Sequence, residues 1–257
     1  MYRPLPVPVA RRFAAACAAA AACLVGSPVL AQDGVPTTPV DVELVLAVDI
    51  SGSMDYEEQL IQREGYVTAF RDDAVVSAMT SGYHRRIVVT YLEWANEFTQ
   101  NQAVPWTVID SPETARAFAD AVEDHPLNTA RGTSISGALL AAAELIEGNA
   151  YEGVKRVIDI SGDGSNRNGP PVRPVRDQVA EQGIIINGLP LSLRPSGQRF
   201  GPIDLDAYYR ENVIAGPGSF VLSVDDFDTL GSSIRSKLIL EIADATLWRP
   251  RVASGGD

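Results

Sequence analysis

Cysteine is nearly missing from this sequence. There are two in 257 residues, Cys17 and Cys23, both near the amino terminus. Beyond them the chain can form no disulfide, hold no metal by thiolate and use no cysteine nucleophile. Histidine is equally scarce, with only His84 and His125. Both lie in polar, loop-like contexts and are expected at the surface, so histidine-rich zinc chemistry and a Ser-His-Asp triad find little support. Positive charge is short as well: 21 Lys and Arg stand against 33 Asp and Glu, a net charge of −12. That sign argues against non-specific nucleic-acid binding and against docking on anionic lipid, and it suits attraction of cations. No GxxxxGK[ST] motif is present, which excludes a P-loop nucleotide site. Gly132-Thr133-Ser134-Ile135-Ser136-Gly137 does not match GxSxG, and no histidine is placed to activate Ser134.

What is present begins with the marks of export. Arg3, Arg11 and Arg12 form a positive start, and Phe13 to Gly26 is apolar, alanine-rich and short for a bilayer span. Pro28 breaks the run, and Val29-Leu30-Ala31 places small residues at a cleavage site. The expectation is a signal peptide over 1–31, removed after Ala31, and a periplasmic or secreted chain of 257 less 31, or 226, residues. Losing three arginines takes its net charge from −12 to −15. Arg11-Arg12-Phe13 is a weak match to a twin-arginine signal. Ala20-Ala21-Ala22-Cys23 is a poor lipoprotein box, so no stable membrane anchor is expected. A chain of this length supplies a full core in one domain.

Along that chain, residues 32–41 are Pro/Thr-rich and read as a flexible lead-in. Val42 to Val48 is an apolar run with only Glu43 polar, as in a strand buried on both faces. Residues 55–79 carry apolar side chains at helical spacing, a long helix or a helix pair. Further strands are expected at 87–94, 106–109, 154–160, 184–189 and 219–224. Helices are expected at 111–122, 135–147, 173–182, 206–213 and 226–245, and the second of these begins with the small-residue run ISGALLAAA. Residues 190–204 read as a Pro/Gly-rich surface loop, and 246–257 as a tail. Strands alternating with helices imply an α/β fold: a doubly wound, mostly parallel, Rossmann-like sheet of about six strands with helices on both faces.

Such a sheet binds ligands at the carboxyl ends of its strands, beside the switch point of strand order. Three polar stretches are expected there. Asp49-Ile50-Ser51-Gly52-Ser53 ends the first strand, with oxygen-bearing side chains at i, i+2 and i+4 and a glycine for the turn. Gly132-Thr133 precedes a helix, and Asp163-Gly164 follows a strand. Each has a plainer explanation. Ser53 or Asp55 can cap the next helix, Thr133 can cap the 135–147 helix, and Asp163 can hold a turn. Ser165 and Asn166 can hydrogen-bond the same loop. Asp159 falls within a strand as an outward or supporting carboxylate.

Asp49-x-Ser51-x-Ser53, Thr133 and Asp163-Gly164 together resemble the von Willebrand factor A (vWA) domain and its metal-ion-dependent adhesion site, MIDAS. In that family the first loop reads Asp-x-Ser-x-Ser, the second supplies a Thr, and the third an Asp. The resemblance spans residues 42–245. It implies that Asp49, Ser51, Ser53, Thr133 and Asp163 form a metal site, the hydroxyls ligating directly and the carboxylates largely through water. It implies Mg²⁺, or Mn²⁺ or Ca²⁺, with a coordination position left open for a carboxylate of an unidentified protein partner. The function implied is cation-dependent recognition or adhesion at the bacterial envelope, without catalysis.

A second resemblance competes. Ser161-Gly162-Asp163-Gly164-Ser165-Asn166 is similar to the GDGxN loop of haloacid-dehalogenase-type phosphatases, with Asp49 as nucleophile, Thr133 or Ser134 on phosphate and Lys155 as the phosphate lysine. That family needs a second acid two residues after the nucleophile to protonate the leaving oxygen. Here that position is Ser51, whose hydroxyl cannot do so. A structural envelope protein with a degenerate site is the third reading.

Overall fold

The computed structural model describes residues 37–192 and 204–243. The expected leader over 1–31, its cleavage after Ala31 and the tail at 246–257 lie outside the described residues. Among the described residues no helix is long and apolar enough to cross a membrane.

Five strands form the sheet: β1 (Thr38–Asp49), β2 (Ile87–Trp94), β3 (Gln100–Ile109), β4 (Tyr151–Gly162) and β5 (Ile185–Pro190). Their order is β3-β2-β1-β4-β5, with β3 antiparallel to β2 and the other pairs parallel. Among the described residues seven helices connect and cover them: α1 (Tyr56–Arg71), α2 (Asp73–Met79), α3 (Pro112–Asp124), α4 (Ile135–Glu147), α5 (Val172–Glu181), α6 (Leu205–Asn212) and α7 (Phe227–Ala243). The α/β, mostly parallel expectation holds.

β1 is central and buried from Val40 to Asp49. Its side chains alternate as a pleat requires. Leu44, Leu46 and Val48 join the core beneath α1, α2, α3 and α7, while Val45 and Ala47 join the core on the opposite face beneath α4, α5 and α6. Ala138, Leu139 and Ala142 of α4 are fully buried. Their small size lets that helix lie close to the sheet. Asp72 ends α1 and caps α2, its side chain accepting from Ala74 and Val75 N–H, so the 55–79 stretch is a pair of helices.

Three boundaries differ from expectation. β1 starts at Thr38, so the second half of the expected 32–41 lead-in is strand: Thr38, Pro39 and Val40 pair with Tyr151, Glu152 and Gly153. β3 runs ten residues rather than four, because residues 100–105, ahead of the expected strand at 106–109, extend the pairing with β2. The sixth strand at 219–224 is absent among the described residues; Val221 and Val224 make only isolated bridges, to Gly188 and Leu191. Gly216 and Gly218, both at positive φ, give the chain no continuous extended approach to that edge.

Strand order reverses across β1, whose neighbours β2 and β4 lead outward in opposite directions. The carboxyl ends of β1 and β4 therefore border the crevice where such sheets bind ligands.

Candidate metal centre

β1 delivers Asp49 to that crevice at its last residue. The carboxylate is buried, and its Oδ1 accepts the Ser51 N–H at 2.7 Å, which folds the loop back over it. The Ser51 hydroxyl lies 2.9 Å from that of Ser53, and the Ser53 hydroxyl donates to Asp163 Oδ1 at 2.7 Å. One polar chain thus links four of the five candidate residues across more than a hundred positions of sequence.

Thr133 arrives by another route. Ala130 bridges Ser51, and its N–H donates to the Ile50 carbonyl at 3.0 Å, seating the 128–134 loop on the Asp49 turn. The Thr133 N–H donates to Asn168 Oδ1 at 3.0 Å, and the Thr133 carbonyl accepts the N–H groups of Arg167 and Asn168. A Cβ on Gly164 would lie 3.7 Å from Thr133 Cγ2, so Thr133 packs against the Asp163-Gly164 turn. Gly132, at φ +93°, makes the left-handed turn into this position, which a side chain would strain.

The capping alternatives resolve against Ser53 and Thr133. Asp55 caps α1 in a reciprocal box with Glu58, and Ser134 caps α4 by accepting from Gly137 N–H at 3.1 Å. Ser53 and Thr133 are thus left to the crevice. Among the described residues Ser165 and Asn166 form no hydrogen bond with the Asp49 loop. Asn166 Oδ1 accepts from Ser136 N–H and faces α4. Sequence reasoning missed Asn168, the brace of Thr133. An amide in a polar loop carries no signal until its partner is known.

Beneath the site, Gly162 is required. A Cβ there would stand 2.8 Å from Asp49 Oδ2, 3.1 Å from Trp94 Cζ2 and 3.1 Å from Tyr209 Oη. Asp49 Oδ2, Trp94 Nε1 and Tyr209 Oη are all buried without a hydrogen-bond partner among the described residues. Burial, and then the nearby Asp163 carboxylate, push the Asp49 carboxyl up to about 8, against the hydrogen bonds from Ser51. Two carboxylates and three hydroxyls thus meet, with no cation bonded to Asp49 among the described residues. Among the described residues no cluster of three or more His, Cys, Asp or Glu side chains offers an alternative metal site. The donor set is all oxygen, which fits a hard divalent cation and not a soft one. Asp49, Ser51 and Thr133 are buried while Ser53 is exposed and Asp163 half-exposed, so the cluster opens outward.

The phosphatase constellation does not assemble. Lys155 pairs in register with Val42, seven residues before Asp49 along the strand. At about 3.3 Å per residue that is roughly 20 Å from the crevice. Its ammonium donates to the Glu241 carbonyl at 2.8 Å. His125, expected at the surface, is drawn inward, with Nε2 3.5 Å from the buried Glu93 carboxylate.

A family model described as "Protein of unknown function (DUF1194)" matches residues 39–246 of this chain. No curated protein matches its sequence. Several solved structures share its fold. The pilus adhesin SpaC from Lactobacillus rhamnosus GG is 12% identical, with a TM-score of 0.58 over 78% of this chain and 31% of that one. Proximal thread matrix protein 1 from the mussel byssus, solved with a zinc-occupied MIDAS motif, is 15% identical, with a TM-score of 0.56 over 80% of this chain and 49% of that one. The von Willebrand factor type A structure from Catenulispora acidiphila is 17% identical, with a TM-score of 0.51 over 78% of this chain and 42% of that one. The chain spans less than half the length of each. The likeness is one of fold, and that fold is vWA-like. By the extent of the family match, the chain belongs to the DUF1194 family.

Proposed function

We propose that this DUF1194 protein is a divalent-cation-dependent recognition module of the bacterial envelope. Asp49, Ser51, Ser53, Thr133 and Asp163 hold the ion, and an acidic residue of a protein partner binds there. The observation that carries this reading is the buried Asp49 Oδ2, which has no hydrogen-bond partner among the described residues, set beside a second carboxylate. A buried, unpaired carboxylate is costly, so such an acid either keeps its proton or is neutralised by a bound cation. Mg²⁺ is the ion of choice for an all-oxygen set that leaves room for water. The ion, when bound, supplies an electrophilic position for a carboxylate oxygen. The chain's own residues fix where that position is: Ser51 N–H orients Asp49, Ser53 ties Asp163 to the loop, and Asn168 holds Thr133 in place.

The site performs recognition rather than bond cleavage. Ser51 stands where a phosphatase needs an acid, and Lys155 is remote. Export through the leader at 1–31 places the module in the periplasm or outside the cell. Isothermal calorimetry with Mg²⁺ on the wild type and on Asp49→Ala tests the proposal. The expected result is binding by the wild type and none by the variant, with unchanged circular dichroism. Equal heats from both proteins would leave only a degenerate site on a structural protein.

A further inference from the structure

The two most exposed large apolar side chains among the described residues are Phe98 at 87% and Tyr56 at 71%. Both sit at the carboxyl-end face of the sheet. Tyr56 is the first residue of α1, directly after the Asp49–Asp55 loop. Phe98 is on the turn joining β2 to β3. An exposed phenylalanine on a loose turn would mean little, but this turn is braced. Asn96 Oδ1 accepts the Phe98 N–H at 2.9 Å, the Ala95 N–H donates to the Thr99 carbonyl at 3.0 Å, and Gln100 Nε2 donates to the Asn96 carbonyl at 2.6 Å.

The brace extends to the metal centre. Asn96 Nδ2 donates to the Arg131 carbonyl at 2.7 Å, and the Ser134 N–H donates to the Ala95 carbonyl. These bonds fall on either side of Thr133. The Phe98 turn and the Thr133 loop are therefore one unit, with the Phe98 backbone held beside the loop that carries Thr133. Charge on the same loops is mixed, with Glu97 and Asp163 beside two arginines. In a protein of net charge −12, Arg131 and Arg167 are exposed on the loops that carry and brace Thr133, with Glu97 the acid on the Phe98 turn.

We infer that the partner is a protein segment in which the ion-binding Asp or Glu lies next to an aromatic or aliphatic residue. The acid meets the metal centre, and its apolar neighbour packs on Phe98. Tyr56, at the start of α1, is a second exposed ring at the same face, and Arg131 and Arg167 are exposed cations on the loops around Thr133. Rigid aromatic side chains give large contact area at little entropy cost, which is why they dominate interface energetics. This inference rests on the carboxylate-binding reading above, and its test separates the two.

Random-peptide display is run on the Mg²⁺-loaded full chain, with elution by EDTA. The expected eluate shares an Asp or Glu within a few positions of Phe, Tyr, Leu or Ile. Phe98→Ala should weaken the best peptide about tenfold while leaving the calorimetric Mg²⁺ affinity unchanged. Replacing the peptide's apolar residue by Ser should cost the wild type the same factor and Phe98→Ala nothing further. Acidic peptides without an apolar companion, or equal binding by Phe98→Ala, overturn this surface and spare the metal reading. An eluate without acids overturns both. Phe98-dependent binding to phosphatidylglycerol vesicles in place of peptide would mean a lipid contact and also overturn it.

Discussion

The chain gathers buried carboxylates in two places and treats them differently. At the crevice, Asp49 and Asp163 meet with no cation bonded to Asp49 among the described residues, and the Asp49 carboxyl is pushed up to about 8. Deeper in the same sheet, Asp159 of β4 and Glu241 of α7 meet around Lys237, whose ammonium lies 2.7 Å from Asp159 Oδ1 and also bonds Glu241 Oε1. All three are buried, and Asn187 Nδ2 donates to Glu241 at 3.0 Å. Burial would lower the Lys237 pKa, but Asp159 and Glu241 hold it above its ordinary value. Where the fold needs a permanent neutraliser, the sequence supplies one and encloses it. Where it does not, the hydroxyls and carboxylates open toward solvent, as a site for an exchangeable cation does.

Removing the internal cation gives the largest effect. Lys237→Ala should destabilise by about 3–5 kcal/mol, because it strands two carboxylates in the core and undocks α7 from β4. Urea denaturation measures it. A loss below about 1 kcal/mol would mean that water replaces the ammonium, and the contrast between the two regions would fail. Asp49→Ala, by comparison, should abolish Mg²⁺ binding and leave the fold intact.

pH sharpens the contrast next. A proton and a cation compete for Asp49, so Mg²⁺ affinity should fall about tenfold per pH unit below about 8 and level off above it. Calorimetry at pH 6, 7 and 9 reads this slope. A flat profile would show that Asp49 is already ionised without metal.

The smallest effect is on the metal-free protein. The Asp49 carboxyl is raised in the folded state from 3.8 to about 8, so the folded chain binds the extra proton and loses stability as pH rises through that window. Asp49→Asn mimics the protonated form. In EDTA it should melt like the wild type near pH 4 and several degrees higher at pH 9. Identical melting at both values would remove the claim that burial strains this acid.

Much of this molecule was legible before its structure. The apolar run of β1, the small-residue face of α4 and the Asp-x-Ser-x-Ser turn are local patterns, and local patterns set element type and the fate of adjacent side chains. The edges were harder. Thr38 and the first half of β3 become strand only because Tyr151 and β2 offer unpaired backbone beside them. Residues 219–224 look like strand but find only isolated bridges. Asp159 could not be read as one of a buried trio, since Lys237 and Glu241 lie some eighty residues away on the last helix.

By itself, the sequence determined the layered α/β architecture, the choice of five candidate residues and the scarcity of cysteine and histidine, because periodicity and residue type act over a few positions. Only the tertiary structure decided that Ser53 bonds Asp163, that Asn168 positions Thr133, and which buried acids share a lysine. Those are matters of distance between segments remote in the chain, and chain closure, not composition, sets them.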